Sequence, residues 1–265
     1  PERMQATLDL LQERHEVLRM RFSPDGTQQI APPGEARCIL EALDLSTLEP
    51  EAADARAAAL AAAHADTALP ALEDGPPLAA TLIRMPEGCR LVLTLRLIVL
   101  DGPSLARLFH DLLAGLYDAP MAPADHALSY RDYVLALQDL PREAARAYWD
   151  RALPELPPSP ALPRAGRAPD NSRFARLAGR LRPEDWVTLR RRAQERGLTP
   201  NAVLLALYAA VLRPWAGRAD FTLNVLGNFR PFDHPDMAAI VGNHTNTLLT
   251  PCLPGGAFAD QARAL

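Results

Sequence analysis

The chain has 265 residues, 48% hydrophobic and 23% charged, enough to bury a sizeable core in one or two compact domains. That balance excludes disorder, collagen or coiled coil as the whole-chain answer. A net charge of −4 lacks the basic footprint of a dedicated nucleic-acid binder.

All 28 basic residues are Arg, a bias that a GC-rich genome explains without reference to function. The 26 prolines are about twice the usual ~5% and carry more structural information. Cys38, Cys89 and Cys252 are far apart and form no CxxC or Cys/His spacing, so no metal site is expected and a reducing compartment is implied. The apolar stretches Leu91–Leu100, broken by Arg96, and Ala202–Leu212 fall short of the ~18 residues a membrane span needs. With no signal-peptide pattern, a cytoplasmic protein without a membrane partner is expected, and the opening at Pro1 reads as that of an excised or trimmed domain.

In chain order, Met4, Leu8, Leu11, His15 and Leu18 predict an amphipathic helix over 3–20. Two short strands follow between Met20 and Ile30, around the turn Ser23-Pro24-Asp25-Gly26. An Ala-rich helix is predicted over 51–66, then paired strands Ala79–Met85 and Arg90–Leu100 joined by Pro86-Glu87-Gly88. Asp101-Gly102-Pro103-Ser104 ends the second strand and opens a helix with a stripe of Leu105, Leu108, Phe109, Leu112, Leu113 and Leu116. Helices are predicted at 128–139 and 142–152. The prolines of 153–169 forbid helix and predict an extended, ordered linker between two lobes, or alternatively a loose loop. Beyond it come a strand-like stretch at 174–182, a charged helix at 183–196 and a buried helix from Thr199-Pro200 to Arg213. A strand at 220–227, a short helix at 234–240, a strand at 244–250 and a helix from Phe258 complete the pattern.

No GxSxG, HExxH, P-loop or Rossmann glycine pattern is present, and His64 and His110 read as packed or solvated helix residues. The residues alone therefore give an α/β protein of two lobes without an obvious catalytic set.

Several segments resemble, in order, the condensation superfamily of nonribosomal peptide synthetases, and its heterocyclization branch most closely. They are Arg14-His15-Glu16-Val17-Leu18-Arg19 with Asp25-Gly26 and Gln28; Tyr148-Trp149 with Leu153-Pro154, Pro157, Pro160 and Leu162-Pro163; Thr199-Pro200 with Leu204-Leu205, Tyr208 and Trp215; Phe221-Thr222-Leu223-Asn224; Asn228-Phe229-Arg230-Pro231 with His234-Pro235; and Val241-Gly242 with Thr245. The resemblance implies two chloramphenicol-acetyltransferase-like lobes in a V, with 1–152 the first lobe, 153–169 the linker and 170–265 an incomplete second lobe. It implies a tunnel for phosphopantetheine arms supplied by upstream and downstream peptidyl carrier proteins, a neighbouring adenylation domain, and no cofactor bound by the domain itself. The implied reaction joins a carrier-bound acyl or peptidyl thioester to Cys, Ser or Thr and cyclodehydrates the product to a thiazoline or oxazoline, as in siderophore and other secondary-metabolite synthesis.

The departures from that pattern are specific. The HHxxxDG of ordinary condensation domains reads Arg96-Leu97-Ile98-Val99-Leu100-Asp101-Gly102, so both histidines are missing. Of the DxxxxD of heterocyclization domains, Asp101 remains while the first acid is Arg96. Asn243 and His244 stand where the resemblance places an acid and an aromatic. The family's downstream catalytic Thr and Asp fall beyond this sequence. The resemblance pairs Asp101 with Arg230 as an ionic staple between lobes, the alternative being an exposed Asp that only caps the helix. It places Arg96, Thr222, Asn243 and Thr245 beside substrate, with Arg96 paired to Asp101 or another acid or else solvated. Asn224 is the candidate catalytic amide, holding a thioester carbonyl or the incoming amine, or else a strand-end Asn satisfying backbone. Three readings stay open: a working enzyme, a degenerate carrier-docking platform, and a stand-alone acyltransferase that lacks the histidine base such enzymes use.

Overall fold

A computed structural model describes residues 1–35, 37–67, 77–119, 128–163, 166 and 177–265. The chain forms two compact units, 1–140 with 228–245, and 141–227 with 246–265.

In the first unit, helix α1 (Glu2–Arg14) buries Leu8 and Leu11, as its periodicity requires. The helix predicted to reach residue 20 stops at Arg14, and a 3-10 turn takes over at Glu16–Arg19. Two side chains account for the stop. His15 is drawn into the core, and buried Arg19 turns back to donate to the carbonyls of Gln12, Glu13 and Ala31. Arg19 thereby satisfies carbonyls that a helix C-terminus leaves open. Strands β1 (Met20–Phe22) and β2 (Gln28–Ile30) form the expected hairpin.

Strand β3 (Leu40–Asp44) pairs in parallel with β4 (Leu78–Arg84), and helix α2 (Pro50–Thr67) precedes β4 in the chain. A parallel pair needs such a crossover. Ala53 and Ala57, one turn apart on α2, are fully buried against Leu45, Ile83 and Met85. Strand β5 (Cys89–Leu95) returns antiparallel to β4 through Gly88, whose φ of 87° suits the turn.

β5 ends at Leu95, five residues short of the predicted strand. Its partner begins at Leu78, preceded by Pro77, which has no N–H for a ladder. Pro77 instead accepts from Arg96 N–H at 3.0 Å, and Val99 N–H turns back to Arg96 O at 3.2 Å. Strand alternation ends at Leu95: Leu91, Leu93 and Leu95 pack on the core, but Leu97 is 68% exposed. Helix α3 (Gly102–Leu116) buries Leu108 and Leu112 and leaves Phe109 and Leu113 exposed, so the apolar stripe is wider than its buried face. Helix α4 (Tyr130–Gln138) opens with a Ser129/Asp132 capping box. Met237, Ile240 and Val241 join the same core as Leu8, Leu18, Leu100 and Leu112, which brings 228–245 into this unit.

The second unit holds α5 (Glu143–Ala152), α6 (Pro183–Gln194), α7 (Pro200–Leu212) and α8 (Phe258–Ala264), with β6 (Phe221–Asn228) paired to β7 (Thr245–Cys252). Thr199 caps α7 by accepting from Ala202 N–H, with Pro200 at the first helical position. Val203, Ala206 and Ala209 are buried, but Leu204, Leu207 and Val211 are exposed, so α7 is buried on one face only. Pro-rich residues 156–163 are irregular and tied to this unit: Thr222 N–H and Oγ1 donate to Pro158 O and Pro157 O, and Ala161 N–H donates to Ala216 O. Residues 153–155 of the predicted linker form a 3-10 turn despite Pro154, while 164–165, 167–169 and the start of the 174–182 strand lie outside the described residues. Residues 177–182 form no strand, and Leu177 and Leu181 stay exposed.

One buried carboxylate joins α1 to α3. Asp111 is fully buried and accepts from Arg14 Nε (2.9 Å), His15 Nε2 (3.1 Å), Arg107 Nε (3.1 Å) and His110 Nδ1 (3.2 Å). Burial pushes its pKa up, but His110, Arg107 and Arg14 outweigh burial and leave it below the ordinary carboxylate value. Burial lowers the His15 pKa from 6.5 to about 4, against the pull of Asp111. His15 is therefore neutral in the fold and charges more readily when unfolded. Its contribution to stability is complete above pH 6.5 and is lost as pH falls toward about 4. Thermal unfolding followed across that window will show the midpoint falling with acid, and His15→Gln will flatten the slope; an unchanged slope contradicts this assignment.

Candidate functional site

The strand-to-helix corner of the first unit holds most of the residues singled out by sequence. Asp101 caps α3, its carboxylate accepting from Ser104 N–H at 2.8 Å. It is only 5% exposed, so the reading as a solvated cap is incomplete. The same carboxylate takes Asn228 Nδ2 at 2.5 Å, His244 N–H at 3.3 Å and the Arg230 guanidinium at 3.2 Å. Asn228 Oδ1 in turn accepts from Arg230 Nη1. Burial raises the Asp101 pKa, but Ser104, Arg230 and Asn228 together bring it below the ordinary value. A carboxylate this heavily engaged is an anchor and a poor proton acceptor.

The expected Asp101–Arg230 pair is present, but it does not staple two units. Both residues lie in the first unit because 228–245 packs there. The pair clasps that segment to the start of α3. Three further side chains share the task. Ser104 Oγ donates to Gly242 O at 2.8 Å and accepts from Gly242 N–H at 3.0 Å. Tyr130 and Tyr133 donate their hydroxyls to Asn243 O and Phe229 O. Gly242 is required by contact: a Cβ there would lie 2.1 Å from the Tyr130 ring.

Asn243 Nδ2 donates to Leu97 O (3.1 Å) and Ile98 O (3.3 Å), while its Oδ1 accepts from Thr245 N–H (3.0 Å). His244 is buried against Tyr130 and Tyr133, with the Ile240 backbone carbonyl near its ring. Burial, helped by Arg230, lowers its pKa to about 4, so the ring is neutral and fills an aromatic's place. Arg96 stands just past the end of β5, half-buried, rather than within the strand predicted to run to Leu100. Thr222 and Asn224 lie in the second unit, two apart on β6 and so on one strand face. Thr222 is bonded to Pro157, and Asn224 is exposed.

Ser104, Asn228, Tyr130 and Tyr133 were not identified as site residues by sequence. Ser104, three past Asp101 at the helix start, and Asn228, two before Arg230, had a readable spacing signal. The tyrosines had none, because their partners are backbone carbonyls about a hundred residues away.

A condensation-domain family model matches residues 1–261. The chain belongs to the condensation-domain family. The domain is 36% identical to phenyloxazoline synthase MbtB of Mycobacterium tuberculosis and 35% identical to pyochelin synthetase PchE of Pseudomonas aeruginosa, over all of this chain and 19% of each relative. It thus spans about a fifth of the length of these curated relatives. The cyclization-docking bidomain of the EpoB nonribosomal peptide synthetase from Sorangium cellulosum superimposes with a TM-score of 0.85 at 32% identity, over 99% of this chain and 54% of that one. The α/β acyltransferase-like fold expected from the sequence is the fold found, with the chain spanning about half of that structure. No helix among the described residues is long and apolar enough to cross a membrane.

Removing the Asp101 carboxylate strands the largely enclosed Arg230 guanidinium and the buried N–H groups of Ser104 and His244. Asp101→Ala should cost about 3–5 kcal/mol of stability in urea unfolding, and Gly242→Ala about 1–3 kcal/mol from its clash with Tyr130. A loss under ~0.5 kcal/mol for Asp101→Ala would show that Asp101 does not anchor the segment.

Proposed function

We propose that this condensation domain acts in heterocyclization within a nonribosomal peptide synthetase. The amine of carrier-bound Cys, Ser or Thr attacks an upstream thioester carbonyl, and the upstream phosphopantetheine thiol leaves with a proton. The side-chain thiol or hydroxyl then adds to the new amide carbonyl, and one water is lost. The upstream and downstream carrier proteins, each bearing its phosphopantetheine arm, and the neighbouring adenylation domain are the proposed partners.

The observation that carries this reading is the corner itself. Its surviving acid, Asp101, is an anchored carboxylate with no histidine at the two preceding motif positions, so the histidine signature of ordinary condensation domains is missing there. Likeness to a phenyloxazoline synthase and a pyochelin synthetase along the whole chain supports the ring-forming branch. Exposed Asn224 is the proposed amide that holds the substrate, its Nδ2 donating to the thioester carbonyl or its Oδ1 accepting from the incoming amine. A second reading, a degenerate domain that only docks carriers, is favoured by Arg96 and Asn243 standing where the family pattern has acids.

The test is turnover by the intact synthetase with loaded carriers, read by mass. The heterocyclization reading expects a product one water lighter than the open amide. Open amide alone would restrict the domain to condensation, and no product would favour the docking platform. If the enzyme is active, Arg96→Asp should change turnover without loss of folding; unchanged turnover removes Arg96 from the site.

A further inference from the structure

The Asn243 side chain meets two acceptors and one donor. Its Nδ2 faces the carbonyls of Leu97 and Ile98, and its Oδ1 faces Thr245 N–H. This pattern fixes the orientation of the amide, since only nitrogen can donate to carbonyls and only oxygen can accept from N–H. The backbone of Asn243 is held separately, by Tyr130 Oη on its carbonyl at 2.9 Å. The side chain is therefore free to hold something else. It holds the turn between β5 and α3, where Leu97 is 68% and Ile98 47% exposed. Burial does little to fix such residues. The backbone bonds around the turn are Arg96 N–H to Pro77 O, Val99 N–H to Arg96 O and Asp101 N–H to Gly242 O, the last two at 3.2 Å.

We propose that Asn243 is a positioning residue: its carboxamide clamps the Arg96–Leu100 turn to the 242–245 turn and so fixes the backbone that leads from Arg96 into the anchored Asp101. The task needs a donor. A carboxylate at 243 would place negative charge against two carbonyl oxygens, while a protonated carboxyl could donate to one of them. The role in turnover rests on the heterocyclization reading; the clamp itself does not.

The test uses the intact synthetase with Asn243→Ala and Asn243→Asp. Amide hydrogen exchange in peptides covering Arg96–Asp101 is measured as a ratio to the unmodified protein at each pH, with peptides from β3, β4 and β5 as the folding control. Asn243→Ala should speed exchange about tenfold at every pH, the equivalent of losing a hydrogen bond or two. Asn243→Asp should speed it at least as much at pH 8 and recover as pH falls through the carboxylate range of ~4–5. If either variant loosens the control sheet, Asn243→Ser, which keeps a hydroxyl donor, replaces it and should fall between Ala and the unmodified protein. Exchange at the unmodified level in Asn243→Ala, or an Asn243→Asp profile that matches Ala at all pH, overturns the clamp. In turnover, a positioning role lowers kcat on the order of tenfold or more and moves KM for the loaded carrier less than about twofold. A loosened turn with unchanged kcat overturns the positioning role. Should the unmodified enzyme make no cyclized product, the heterocyclization reading fails while the exchange result still decides the clamp.

Discussion

The charge on Asp101 organises the corner. A carboxylate 5% exposed persists as an anion only if several donors replace its water, and here Ser104, Asn228, Arg230 and the backbone of His244 do so. Three of those donors come from 228–245. The first unit therefore completes its core with residues far along the chain, and Met237, Ile240 and Val241 follow the ion pair into the apolar cluster. Asp111 repeats the logic between α1 and α3, one buried anion shared among two arginines and two histidines.

The two anchors also divide the labour of the corner. Asp101 fixes the start of α3, and the Asn243 amide fixes the exposed turn that precedes it. Neither is poised to move a proton: the first is too well solvated by donors, and the second does not titrate. The proposed chemistry thus needs groups elsewhere, and Asn224 on β6 is exposed for hydrogen bonding.

Local rules made much of the fold legible. Turn chemistry gave the β1–β2 and β4–β5 hairpins, and Thr199-Pro200 gave the start of α7 to the residue. Errors arose where a distant partner decided the outcome. α1 stops at Arg14 because His15 answers Asp111, and β5 stops at Leu95 because its neighbour starts after a proline. The site was legible in part. Asp101 and Arg230 were paired through family resemblance, but their membership of one unit depends on how 228–245 packs, which no local pattern encodes. Asn243 stood out only as a lost acid; the two carbonyls that make an amide useful there are visible only once the chain has folded.

Apart from Ser104, the donors to Asp101 lie 127 to 143 residues further along the sequence. During synthesis at ~5–20 residues per second, α3 leaves the ribosome many seconds before Asn228 or His244 exists. Until then the nascent first unit lacks Met237, Ile240 and Val241 from its core, Tyr133 is without its ring neighbours Phe232 and His244, and the Asp101 anion stays hydrated. This half-made state offers a natural substrate for chaperone binding, and the arrival of one short late segment would end it.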